Sequence, residues 1–249
     1  MEKIAALVLS GGKGLRTGGT IPKQYVEVGG QPLLVYSLAA FEQSQADAVF
    51  IAAADEYIRF VREEIVGYYR LGKVKDVIPG GRERCFSVLS GLRAIKEAGD
   101  YTYVMIHDGA RPFISPKGIN RMIDAVRTYG AAVAASHVKD TVKITDSDGF
   151  VLETTDRPFT WRAETPQCFR LDCVLAAYEK LIAPLEEDKE AEIHFTDDES
   201  VWAGAFPERK VKLVELEEDN DKVTTPVELA YAQWRIASGS TTVLDQEVL

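Results

Sequence analysis

From Ile4 to Leu9 the chain is continuously apolar and rich in β-formers, and turn residues replace that pattern at once. The spacing predicts a buried strand followed by a loop, Ser10-Gly11-Gly12-Lys13-Gly14-Leu15-Arg16-Thr17-Gly18-Gly19, with Pro22-Lys23-Gln24-Tyr25 behind it. Leu33, Leu34, Tyr36, Ser37, Leu38 and Phe41 then recur at helical spacing and predict a helix over 32–44. Ala48 to Ala54 is a short apolar run, as expected of a strand covered on both faces. Tyr57, Phe60, Val61, Ile65 and Tyr69 mark an amphipathic helix over 56–69. A strand over 74–78, a helix over 87–98, a strand over 101–106, a helix over 115–129 and a strand over 131–136 continue the alternation. Strands and helices alternating at these lengths predict an α/β fold, a doubly wound and mostly parallel sheet.

After residue 136 the period changes. Val138 to Ile144 alternates apolar and polar positions, Ser147-Asp148-Gly149 is a turn, and Phe150 to Thr154 returns. This predicts a β-hairpin arm, within an insertion over 138–160, projecting from the main sheet. Such an arm packs on its own domain or reaches across a two-fold dimer. A helix over 171–182, a charged loop over 186–192, a helix opened by Thr196-Asp197-Asp198-Glu199-Ser200, a strand over 211–216 and a helix over 227–237 complete a single domain, 1–237. Residues 238–249 lack an apolar helical face and read as a loose tail.

The first loop carries the clearest chemistry. Glycines let backbone N–H groups approach an anion, and Arg16 and Lys23 add a planar fork and a mobile point charge. Gly12-Lys13-Gly14 lacks the Lys-Ser/Thr ending of a Walker loop, and Thr17 stands where a dinucleotide fingerprint needs glycine. Asp55 ends the next strand too far away to be the ribose carboxylate of that fingerprint. A Rossmann dehydrogenase is therefore disfavoured, and the reading that remains is a phosphate-cradling loop.

The chain has 249 residues, 46% hydrophobic and 27% charged, with net charge −10 from 29 basic and 39 acidic residues. That balance argues against a general nucleic-acid or anionic-membrane surface, so anionic substrates need locally concentrated positive charge. No run approaches the roughly 18 apolar residues of a membrane span, and the N-terminus lacks a signal-peptide shape. Cys85, Cys168 and Cys173 are an odd number without C-x-x-C spacing, which points to reduced thiols in the cytoplasm rather than a zinc site.

Two further strand ends carry polar clusters. Gly80-Gly81-Arg82-Glu83-Arg84 precedes Ser87, which reads as a helix cap with solvated arginines or as a ligand site. His107-Asp108-Gly109-Ala110-Arg111-Pro112 offers Asp108 and Arg111 as a local ion pair, or as the place where a nucleotide enzyme holds a metal or a hydroxyl. Arg157 and Thr165 together suit a phosphomonoester, through a fork and one further donor. Lys222, among Glu217, Glu218, Asp219 and Asp221, reads from its surroundings as a surface ion pair.

Ser-Gly-Gly-Lys-Gly-Leu-Arg-Thr-Gly with Pro-Lys-Gln-Tyr resembles the signature loop of the sugar-phosphate nucleotidyltransferases. His-Asp-x-Ala-Arg-Pro, Val-Lys-Asp-Thr-Val-Lys, Thr-Pro-Gln-x-Phe and Asn-x-Lys-x-Thr-Thr-Pro follow in the order of the 2-C-methyl-D-erythritol 4-phosphate cytidylyltransferase family, from Val8 to Pro226. The resemblance implies in-line transfer of a cytidylyl group from CTP to an alditol phosphate, with Mg²⁺ held mainly by the CTP phosphates and Asp108 as a further ligand. It implies a homodimer joined through the arm. It assigns nucleotide binding to Ser10, Gly11, Gly12, Gly14, Arg16, Lys23, Gly81 and Ser87. Asp108, Arg111, Thr141, Arg157, Thr165 and Lys222 go to the substrate, and catalysis to Arg16, Lys23, Arg157 and Lys222. Ribitol 5-phosphate is the rival acceptor, and a nucleotide-sensing regulatory protein the rival class. Four positions depart from the family pattern: Gly109, expected to loosen the backbone, Glu164, expected to face away from the phosphate pocket, Trp202 and Asp221.

Overall fold

A computed structural model describes residues 2–12, 21–188, 190 and 192–239. Strand β1 (Lys3–Ser10) is central, and its period-2 pattern feeds both faces of the sheet. Ile4, Ala6 and Val8 join one buried cluster while Ala5 and Leu7 join the other. A short ribbon, β2 (Glu27–Val28) and β3 (Gln31–Pro32), turns at Gly29 and Gly30, whose φ values of 59° and 82° suit residues without a Cβ. Then come α1 (Leu33–Gln43) and β4 (Ala48–Ala53). A 3₁₀ turn over Asp55–Tyr57, α2 (Ile58–Phe60) and a π-helical stretch over Val61–Gly67 form the second helical segment. The chain continues through β5 (Val74–Pro79), α3 (Arg84–Ala98), β6 (Tyr101–Asp108), α4 (Pro116–Tyr129) and β7 (Ala131–His137). Strands β8 (Lys143–Thr145) and β9 (Val151–Thr154) form the arm. Last are β10 (Trp161–Arg170), α5 (Leu171–Leu181), α6 (Asp198–Ala205), β11 (Lys212–Glu215) and α7 (Pro226–Ala237).

The described residues form a seven-stranded sheet in the order β11-β7-β10-β6-β1-β4-β5. All its pairings are parallel except those of β10, which runs antiparallel to β6 and β7. The expected doubly wound, mostly parallel α/β fold is therefore present. Helices α1 and α4 cover one face and α3, α5 and α6 the other, burying aliphatic residues on both sides. A third cluster, including Val28, Tyr36, Phe113, Val223 and Ile236, fastens α7 over the ribbon.

The register fixes where a ligand can sit. Ser10 pairs with Ala53, Leu9 with Asp108 and Ala53 with Pro79, so the carboxyl ends of β1, β4, β5 and β6 finish level. From β1 the winding proceeds to β4 and β5 and then reverses to β6, making the β1–β6 boundary a topological switch point.

Three local expectations need correction. Helix α3 starts at Arg84, so Ser87 lies within the helix instead of capping it. The arm strands are shorter than 138–144 and 150–154: the ladder runs only from Lys143 opposite Thr154 to Thr145 opposite Val151, and residues 139–142 before it are exposed. Strand β10 is absent from the sequence reading: Pro166, which lacks an N–H, lies where the β7 register shifts between Ala163 and Gln167. Of the expected tail, residues 240–249 lie outside the described residues.

The α3–β1 contact depends on a glycine. A Cβ on Gly91 would lie 2.4 and 2.5 Å from the two methyls of fully buried Leu7. Replacing a glycine within a helix ordinarily gains about 1 kcal/mol. Here Gly91→Leu is expected to lower unfolding free energy by about 1–3 kcal/mol through overpacking. Urea denaturation checks this, and an unchanged midpoint would mean that Leu7 moves aside freely.

Candidate active site

The level strand ends open into a cleft of about 830 Å³. At its floor, Ser10, Gly11 and Gly12 leave β1, and the Pro-Lys-Gln-Tyr segment holds their backbone. Gln24 Nε2 donates to the carbonyls of Ser10 at 2.7 Å and Gly12 at 2.9 Å. Tyr25 and Ser10 share a hydroxyl bond of 2.7 Å, and burial pushes the Tyr25 phenol up to about 12. Gln24 and Tyr25 therefore hold the start of the loop, Ser10 to Gly12, while Lys23 lines the cleft. Gly14 and Arg16 lie outside the described residues.

The β5 end supplies Gly80 and Gly81. A Cβ on Gly81 would sit 2.3 Å from Phe86 Cβ and 2.9 Å from its carbonyl carbon, a collision with the backbone of α3. Ser87 Oγ accepts from the Gly81 N–H at 3.0 Å and shares the cleft wall with Gly81 and Gly11. The hydroxyl thus fixes the approach of the β5 loop to α3.

At the β6 end, Asp108 is nearly buried, with Arg84 Nε 3.2 Å from Oδ1 and Lys222 Nζ 2.8 Å from Oδ2. Burial alone would raise its pKa, but Arg84, Lys222 and Arg111 outweigh it and hold the carboxyl well below the ordinary range. Arg111 Nε is 3.8 Å from Oδ2, too long for a hydrogen bond, and its Nη1 donates to the Asn220 carbonyl at 2.8 Å. Burial lowers the Arg111 pKa.

Behind Asp108 a short chain of hydrogen bonds fixes the strand end. His107 Nε2 faces the Arg111 carbonyl at 3.3 Å, which can only accept, so Nε2 carries the proton. Nδ1 then accepts from Thr165 Oγ1 at 3.1 Å, and Thr165 Oγ1 accepts from the Asp108 N–H at 3.1 Å. The Thr165 proton is therefore committed to His107.

The Lys222 segment is tied at three points. Asn220 Nδ2 donates to the Thr165 carbonyl at 2.6 Å, the Val223 N–H donates to Ala110 at 2.8 Å, and Glu228 caps Thr224 and Thr225. Arg162 bridges Glu164 at 3.1 Å and Asp221 at 2.9 Å, so two of the four departures satisfy each other through one guanidinium. Glu164 does not line the cleft, but it is buried, with Ser136 Oγ donating to it at 2.8 Å. Gly109 is not loose: a Cβ there would meet Leu34 at 2.6 Å and the Leu9 carbonyl at 2.9 Å. Trp202 is buried against Phe169 and Phe206, and its Nε1 has no hydrogen-bond partner among the described residues.

Ser10, Gly11, Gly12, Lys23, Gly81, Ser87, Asp108 and Lys222 thus share one cleft. Arg111 and Thr165 stand behind Asp108, outside its lining. Thr141 and Arg157 lie exposed on the arm segment, also outside it. The sequence reading missed the Arg84–Asp198 pair: Nη1 and Nη2 each reach a carboxylate oxygen of fully buried Asp198 at 2.8 Å. Its only signal was an acidic residue one position inside a helix start, a place that capping already explains.

The family model described as 2-C-methyl-D-erythritol 4-phosphate cytidylyltransferase (IspD) matches residues 4–238. A relative of that name from Lachnospira eligens is 41% identical over 228 residues, 91% of this chain and 96% of its own. The crystal structure of 4-diphosphocytidyl-2C-methyl-D-erythritol synthase from Anaerococcus prevotii superposes with a TM-score of 0.81 at 30% identity, covering 95% of this chain and 96% of that one. The Thermus thermophilus cytidylyltransferase structure gives 0.70 at 27% identity, with 93% and 98% covered.

Burial pushes the His107 imidazole down from 6.5 to about 4. Between those values the unfolded chain binds a proton that the folded chain refuses, so stability falls as pH drops from 6.5 to 4. The loss approaches about 3 kcal/mol for a shift of this size. Urea midpoints at pH 7 and pH 5 check it: the wild type is expected to weaken more steeply than His107→Gln, and parallel slopes would remove His107 as the cause.

Proposed function

Because the chain belongs to the 2-C-methyl-D-erythritol 4-phosphate cytidylyltransferase family, we propose that it joins CTP to 2-C-methyl-D-erythritol 4-phosphate, giving 4-diphosphocytidyl-2-C-methyl-D-erythritol and pyrophosphate. The observation that carries this reading is the shared cleft, where Lys23 and the glycine loop of β1 face Asp108 and Lys222. Its volume lies within the range of small-molecule sites.

In this proposal a phosphate oxygen of the acceptor attacks the α-phosphorus of CTP. A new P–O bond forms as the bond to pyrophosphate breaks. A phosphomonoester is already anionic near neutral pH, so no strong general base is required. The barrier lies in bringing polyanions together and in charge building on the leaving group. Backbone N–H groups of Gly11, Gly12 and Gly14, with Ser10, cradle the triphosphate, and Arg16 and Lys23 stabilise the charge that develops. Gly81 and Ser87 form the base and ribose wall. Lys222 positions the acceptor phosphate, and Asp108 accepts from an acceptor hydroxyl. Arg111 and Thr165 act from behind, by holding Asp108.

Mg²⁺ fits a small donor set. Among the described residues no three His, Cys, Asp or Glu side chains converge into a cage, and both Asp108 oxygens already face cations. Such an ion is therefore carried mainly by the CTP phosphates, where it neutralises charge. A cytoplasmic location is part of the proposal, supported by three unpaired cysteines. No helix among the described residues is long and apolar enough to cross a membrane.

Thr141 and Arg157 complete the proposed site only from a second copy. Supporting this, the arm segment exposes Ile144, Phe150, Val151, Leu152 and Phe159, more apolar surface than a solvated hairpin needs. A two-fold homodimer would cover that surface and carry each arm to its partner's cleft.

Two tests follow from this arrangement. Lys23→Ala and Lys222→Ala are each expected to lower turnover by at least ~10²-fold, the scale of one preorganised donor. Pyrophosphate release from CTP is the readout, with 2-C-methyl-D-erythritol 4-phosphate and ribitol 5-phosphate assayed in parallel; faster turnover on ribitol 5-phosphate would reassign the acceptor. In the second test, inactive Arg157→Ala and Lys222→Ala proteins are mixed in equal amounts. Hybrid dimers restore one intact site each, so about a quarter of wild-type activity is expected to return. No recovery after subunit exchange would place Arg157 and Lys222 in the same chain's site.

A further inference from the structure

We propose that Arg84 is a positioning residue for the Asp108 carboxylate, and that buried Asp198 is what holds Arg84 in that role. This rests on the cytidylyltransferase reading above. Arg84 begins α3, the helix that precedes β6, and Asp198 begins α6, 90 residues beyond Asp108 in sequence. Asp198 takes one oxygen from each of Nη1 and Nη2, both at 2.8 Å, and the Tyr178 hydroxyl donates to its Oδ1 at 2.5 Å. That occupies the end of the guanidinium fork with an internal carboxylate, so it is not offered to a phosphate. The edge that remains directed into the cleft wall is Nε, and it meets Asp108 Oδ1 at 3.2 Å.

The orientation of Asp108 follows. With Oδ1 on Arg84, its other oxygen turns to Lys222 at 2.8 Å. A carboxylate free to rotate would present either oxygen to Lys222 and would shift the ammonium with it. Arg84 stands at a helix start with both ends of its fork held by Asp198, whereas the Lys222 side chain meets Asp108 from a loop, so the Arg84–Asp198 pair sets the geometry that the lysine meets. Burial disfavours the charged form of Arg84, but Asp198 and Asp108 outweigh it, so the guanidinium stays charged throughout the working range.

The test is steady-state kinetics with CTP and 2-C-methyl-D-erythritol 4-phosphate on Arg84→Gln, Asp198→Asn, their double variant and Tyr178→Phe. Arg84→Gln and Asp198→Asn are each expected to lower kcat by about 10-fold to 10²-fold, the scale of a misplaced reacting group, with KM for CTP nearly unchanged. The double variant is expected to be no slower than Arg84→Gln, because the two residues act as one unit. Methylguanidinium is expected to restore part of kcat to Arg84→Ala. A large rise in KM for CTP in Arg84→Gln, with Asp198→Asn unaffected, would make Arg84 a direct nucleotide ligand and overturn the proposal. So would folded variants with wild-type kcat. Should the Arg84 variants fail to fold, Asp198→Asn and Tyr178→Phe decide: slowed kcat with intact CTP binding supports the proposal, and unchanged kcat in both overturns it. Wild-type protein inert with both acceptors would overturn the parent reading, whereas active wild type with unaffected variants overturns this inference alone.

Discussion

A carboxylate almost withdrawn from water, with a guanidinium on one oxygen and an ammonium on the other, is the interaction around which this molecule is arranged. Taking charges out of water costs several kcal/mol per ion even after relaxation, and only close, well-aligned partners offset it. Asp108 is in that position at the end of β6, between Arg84 and Lys222. Its partners come from distant parts of the chain, so the arrangement exists only once the sheet has formed. Register supplies the first condition, since Leu9 opposite Asp108 brings the glycine loop and the carboxylate to the same level. The hydrogen bonds from Asp108 N–H to Thr165 and on to His107 supply the second, by fixing the backbone that carries the charge.

The acidic residues near Lys222 extend the same logic. Alone, Asp221 beside Lys222 and Glu164 beside Thr165 would each introduce a further negative charge near the pairs that Asp108 makes. Arg162 lies between them and pairs with both, while Ser136 holds Glu164 from the other side. The pair of substitutions therefore behaves as one ion triad that joins the Lys222 loop to β10. Neither acid is explained by its own neighbours in sequence; each is explained by the other.

What was legible in the sequence divides along that line. Parallel strands buried on both faces announce themselves as apolar runs, and β1, β4 and β6 fall where those runs are. Strand β10 did not, because Glu164, Thr165 and Pro166 interrupt any period, and their burial comes from contacts with β6, β7 and the Lys222 loop. At the site, the residue patterns themselves pointed to Lys23 and Asp108, and the family resemblance added Gly81 and Lys222; all four share the cleft. Ser87 was legible as a site residue but not as what it does, since its hydroxyl holds Gly81 and caps nothing. Asp198 was illegible in kind. An acid in the first turn of a helix has a sufficient local explanation, and nothing short of the fold shows that its carboxylate faces inward to Arg84 and Tyr178.

The charge balance of the cleft gives the arrangement its chemical sense. Among the described lining residues Lys23, Arg82, Arg84 and Lys222 are matched by Asp55, Glu56, Glu83 and Asp108. Among the described residues the cleft lining therefore carries no surplus of positive side chains, in a chain of net charge −10. In the proposed site, attraction comes from placement: backbone N–H groups at the start of the glycine loop, a lysine on each side, and a carboxylate paired with Lys222. A surplus of fixed positive charge would bind reactants and products alike, and uniform binding does not accelerate a chemical step. In the proposed reaction, cations held in fixed positions by paired acids leave the strongest interaction for the arrangement in which charge is developing between the two phosphates. In that proposal the buried acids Asp108 and Asp198 belong to the anion site, because its cations Arg84 and Lys222 are paired with them.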